Sequence, residues 1–73
     1  MFQIVITGIN VRKENYKDFA YLVSDYAKNG AVKRSLSYGT ALLFPTLESA
    51  KSAKAKLTEY GCEIPDEIVE VAG

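Results

Sequence analysis

Two stretches carry apolar residues at helical spacing, and a glycine stops each of them. The first, Lys13 to Asn29, places Tyr16, Phe19, Ala20, Val23, Tyr26 and Ala27 on one stripe, with Gly30 where a left-handed cap belongs. The second runs to about Tyr60 behind Thr46, a good N-cap, with Leu47, Ala50, Ala53, Leu57 and Tyr60 on one side and Gly61 as its stop. Around these helices lie short runs of strand character. Phe2 to Gly8 is β-branched and apolar on both faces, which predicts a buried, central strand. Val32 to Ser37 alternates and reads as a more exposed strand. Tyr38-Gly39 forms a turn, and Thr40 to Phe44 is a third strand ended by Pro45. Cys62-Glu63-Ile64 is a short fourth strand, and Asp66 to Val71 is either a turn of helix or a last strand. The order is β-α-β-β-α-β in a single domain spanning 1–73.

At 73 residues, roughly 60–65% of the unfolded surface can be buried, so stability is modest without a staple. One cysteine, Cys62, allows no intramolecular disulfide, and the absence of histidine removes Cys/His zinc sites. A lone thiol suits a reducing compartment. The first residues lack a basic segment followed by a long apolar stretch, and no run approaches the roughly 20 residues of a membrane span. A soluble, cytoplasmic protein is expected. Net charge is zero but uneven: Lys28, Lys33, Arg34, Lys51, Lys54 and Lys56 face Glu48 alone, whereas Glu59, Glu63, Asp66, Glu67 and Glu70 follow with no base. The basic block is either a solvated face or an anion-binding surface.

The search for catalytic chemistry is mostly negative. Without histidine, Ser/His and Cys/His arrangements do not exist. Asp66-Glu67 and Glu63 lie in a terminal segment with no evident cleft for paired acid and base. Thr7-Gly8 is too little for a dinucleotide fingerprint, which needs three spaced glycines. Arg12 lies in a Val-Arg-Lys link without the glycines an acylphosphatase-like loop would want. Laid onto an RNA-recognition motif, the stacking positions carry Val5, Gly39 and Ala41, none of them aromatic. A non-enzymatic binding module, without cofactor or metal, is therefore expected.

Ile4-Val5-Ile6-Thr7-Gly8-Ile9 resembles the first strand of a BRCT domain, which commonly ends in Thr-Gly or Ser-Gly. The resemblance continues through Asn29-Gly30, where the family has Gly-Gly, then Ser35-Leu36-Ser37 and Leu42-Leu43-Phe44. Lys56 to Ile64 is similar to the end of the family's second helix, and Asp66-Glu67-Ile68 stands where its last helix begins. The flavour is closest to the BRCT module of NAD-dependent DNA ligases. That resemblance implies a four-stranded parallel sheet with a truncated last helix and a role in DNA replication or repair. The implied role is recognition of a DNA 5′-phosphate or phosphopeptide, or recruitment of a DNA-processing protein. It also implies a phosphate site at Thr7, Gly8 and a Lys of helix two, here Lys54 or Lys51, since the family's position falls on Ala53. Arg12, Lys13, Lys33 and Arg34 would extend contact along a DNA or partner backbone. The alternative is a ferredoxin-like antiparallel α+β sandwich, a protein-interaction regulator or inhibitor that docks by its sheet or helices without a phosphate site. For so short a BRCT-like chain, without a full last helix, a homodimer or another subunit would cover the exposed sheet face.

Overall fold

The computed structural model describes residues 1–72 and contains two helices against one face of a four-stranded sheet. In chain order the elements are β1 (Phe2–Ile6), β2 (Gly8–Ile9), α1 (Tyr16–Lys28), β3 (Val32–Leu36), β4 (Gly39–Phe44), α2 (Leu47–Tyr60), β5 (Cys62–Glu63) and β6 (Val69–Glu70). A single 3-10 turn, Lys13–Asn15, leads into α1. The sheet order is β3-β4-β1-β6, with every neighbouring pair antiparallel. This corrects the parallel sheet that the BRCT resemblance implies and matches the ferredoxin-like alternative.

The reason lies in two connections. The two-residue turn at Ser37-Tyr38 joins β3 directly to β4, which forces them antiparallel, because a parallel pair needs a crossover of a dozen residues or more. β4 rather than β3 then takes the place beside β1, with Phe2 opposite Phe44, Ile4 opposite Leu42 and Ile6 opposite Thr40. β1 runs through the sheet interior between β4 and β6. The truncated last helix is also corrected. Asp66 to Ile68 contains no helix, and Val69-Glu70 pairs with Gln3-Phe2 as the fourth strand. Cys62-Glu63 stays outside the main sheet and pairs instead with Gly8-Ile9.

Helix α2 is well bounded. Thr46 Oγ1 accepts from the Ser49 backbone N–H at 3.1 Å, while the Thr46 N–H donates to Ser49 Oγ at 3.3 Å. Such a reciprocal cap contributes about 1 kcal/mol. At the other end Gly61 takes φ +110°, and its N–H returns to the carbonyl oxygens of Leu57 and Thr58. The face of α2 that meets the sheet is Ala50, Ala53 and Leu57, all fully buried. Two alanines let the helix lie close to β1 and β4, and Leu57 fills the remaining space with Ile4, Ile6, Leu42, Phe44 and Phe19. From α1, Tyr26 sits edge-on to Phe44 with ring centroids 5.3 Å apart. Burial, and then Tyr60, push the Tyr26 phenol above its ordinary pKa.

Candidate functional site

The Thr7-Gly8 corner is built by the small β2–β5 ladder. Thr7 donates from both its N–H, at 2.9 Å, and its hydroxyl, at 3.1 Å, to the carbonyl oxygen of Glu63. Gly8 lies opposite Glu63, and a Cβ at Gly8 would come within 2.8 Å of the Glu63 carboxylate oxygen. The Thr7 hydroxyl, which the phosphate-site expectation assigns to a ligand, therefore joins the Thr7 N–H in holding β5 in place, and a carboxylate lies over the glycine. Lys51 and Lys54 line a separate groove with Ala55, Thr58, Asp66 and Ile68, whose walls include neither Thr7 nor Gly8. There Lys54 Nζ pairs with Asp66 at 3.2 Å.

The basic middle block does not form one surface. Lys56 lines a groove with Asp18 and Glu59, and Lys33 borders a crevice on the helix side with Ile6, Phe19 and Thr40. Arg34 points to the opposite side of the sheet, as its pairing with Ala41 requires. Arg12 and Lys13 are exposed at the 3-10 turn, with Arg12 4.0 Å from Glu14. Among the described residues no group of three or more metal-ligating side chains converges, and no helix is long and apolar enough to cross a membrane.

Cys62 is buried at the end of α2, and desolvation pushes its thiol pKa up. A neutral buried thiol is a poor nucleophile. Cys62 in the folded protein is expected to react with a disulfide reagent at pH 8 far more slowly than after denaturation. Equal labelling rates in the two states would show that the thiol is accessible. The sign for stability follows. A pKa raised on folding contributes fully below the unfolded thiol value and is lost as pH climbs through the folded one.

The side of the sheet away from the helices is the largest feature that residue patterns did not assign. Directly paired residues share a face, so the partners of Gln3 and Val5 define it. Strand β4 contributes Leu43 and Ala41; β3 contributes Val32, Arg34 and Leu36. On β6, Val69 stands opposite Gln3, and Met1 and Val71 extend the ladder through N–H···O bonds of 2.7 and 2.8 Å. Gln3 and Arg34 are the polar side chains among these residues. Leu43 and Ala41 are buried by their neighbours, whereas Val32 and Val69, toward the two edges, are 42% and 40% exposed. The sequence signal for this face was the double apolar character of β1, which is equally the mark of a strand covered on both sides. Comparison with protein families, curated proteins and solved structures finds no match for this chain.

Proposed function

We propose that the protein is a non-catalytic protein-interaction module that docks through the helix-free face of its sheet. The observation that carries this reading is the near absence of charge on that face. A one-sided antiparallel sheet facing water alternates apolar inward and polar outward. Here Val5, Ala41 and Leu43 lie outward in the middle of the sheet, flanked by Val32, Leu36 and Val69. Val32 and Val69 are exposed and Val5 and Leu36 half-buried, so the surface a partner would meet on this face is apolar, over a buried centre at Ala41 and Leu43. The face is aliphatic, which favours protein side chains over stacked bases.

Photo-crosslinking from defined positions tests the reading. A benzophenone side chain at Val32 or Val69 is expected to give a discrete protein adduct, whereas one at Ser24, exposed on α1, gives none. An adduct from Ser24 alone would move the docking surface to the helices and overturn the proposal.

A further inference from the structure

Apart from the docking face, we infer that the edge of β3 accepts an extended acidic segment of a partner protein as a fifth strand. The sheet ends in β3 on one side and in β6 on the other. β6 has two residues, whereas β3 has five, Val32 to Leu36, in unbroken register with β4. A free edge of that length is normally shortened, bulged or covered. Here Val32 to Ser35 are all exposed, and no bulge interrupts the ladder.

The direction of the free backbone groups follows from the far side of the sheet. Met1 and Val71 exchange N–H···O bonds of 2.7 and 2.8 Å, so Gln3 bonds toward β6 in the alternating antiparallel pattern. Phe2, Ile4 and Ile6 then bond toward β4, and Ala41 and Gly39 bond toward Arg34 and Leu36. Lys33 and Ser35 are left with N–H and C=O turned outward, the groups that strand addition uses. In an added antiparallel strand, the residues bonded to them carry their side chains on the helix side, because paired residues share a face. That side holds a crevice of about 50 Å³ between α1 and the sheet, bordered by Lys33, Phe19, Val23 and Leu42. With each water of the liquid taking about 30 Å³, the crevice admits a small aliphatic side chain and no ring.

The charges choose the occupant. Lys33 projects on the helix side of the edge and Arg34 on the other, and both are exposed. Among the described residues neither has an ionic partner; the ion pairs are Arg12–Glu14 and Lys54–Asp66. Carboxylates on the two faces of an added strand would meet one cation each. A second copy of this chain is disfavoured at the same edge. Pairing β3 with β3 sets Lys33 and Arg34 against their own kind, and β6 is too short to serve instead.

The blocked peptide Thr-Glu-Glu-Val-Glu-Glu-Thr carries this pattern and tests the inference against the full chain. It is expected to bind saturably with Kd below about 1 mM. At about ten times its Kd it is expected to slow hydrogen exchange of the Lys33 and Ser35 amides about tenfold, leaving those of Arg34 and Leu36 nearly unchanged. The basic counterpart, Thr-Lys-Lys-Val-Lys-Lys-Thr, is expected to bind at least about tenfold more weakly. Lys33→Glu/Arg34→Glu is expected to reverse that preference, with far-UV circular dichroism unchanged because both side chains are exposed. Absence of saturable binding by the acidic peptide overturns the inference. So does binding without protection of the Lys33 and Ser35 amides, or equal affinity for the two peptides. The docking face is tested separately by its crosslinkers, and failure of the peptide leaves that reading standing.

Discussion

Gly61→Val is expected to lower the melting temperature by at least about 10 °C. Gly61 holds φ +110°, where a side chain is strained, and a Cβ there would come within 2.6 Å of the Asn10 carbonyl oxygen. That approach is structural, because the Asn10 N–H donates to the Gly61 carbonyl at 3.1 Å and so ties the end of α2 to the segment after β2. A branched residue therefore faces a backbone clash that no rotamer relieves. The strain and the clash together cost about 2–4 kcal/mol. A domain this short has a total stability of roughly 4–10 kcal/mol, so the variant is partly unfolded at moderate temperature. Thermal circular dichroism checks this, with Gly61→Ala as the milder companion. A Gly61→Ala melt within about 2 °C of wild type would show that the turn yields easily.

The second large effect is in the core. Leu57→Ala is expected to cost about 2–5 kcal/mol, since Leu57 is fully buried and its α2 neighbours on the sheet side are already alanines. Ala50 and Ala53 have no side chain long enough to collapse into the space left behind. The near-isosteric Leu57→Met is expected to cost less than about 1.5 kcal/mol. Urea midpoints for the pair separate cavity formation from any general intolerance of the site. Equal midpoints would mean that the helix shifts to close the gap.

The helices were legible because their signals are local. Thr46, the spacing Ala50-Ala53-Leu57 and the stop at Gly61 all lie within one stretch of chain, and the observed helix runs from Leu47 to Tyr60 as that pattern indicates. Strand direction was not legible. Side chains alternate with period two in parallel and antiparallel ladders alike, so Phe2 to Ile6 and Gly39 to Phe44 carry no mark of their mutual sense. The turn, expected at Tyr38-Gly39 and found one residue earlier at Ser37-Tyr38, did carry one, because a connection that short admits only an antiparallel pair. The last strand was ambiguous for another reason. Val69-Glu70 has no periodicity of its own and is held by its ladder to Phe2 and Gln3.

The candidate site divides in the same way. Thr7-Gly8 is a recognisable local pair, yet its partner is Glu63, set 56 residues away by the β2–β5 ladder. Lys54 likewise finds Asp66 through the fold. The helix-free face emerges only after strand order is known, because it consists of alternate residues from four strands of which only β3 and β4 are sequential neighbours.

The interior position of β1 has a consequence during synthesis. Phe2 to Ile6 is translated well before its ladder partners, Thr40 to Phe44 and then Val69-Glu70. Until they arrive, a β-branched, uncharged segment presents two unsatisfied edges to the crowded cell. The growing chain cannot close its sheet piece by piece. Its aggregation risk is therefore set by how fast translation delivers Val69-Glu70 after Phe2 to Ile6 and by what shields β1 meanwhile.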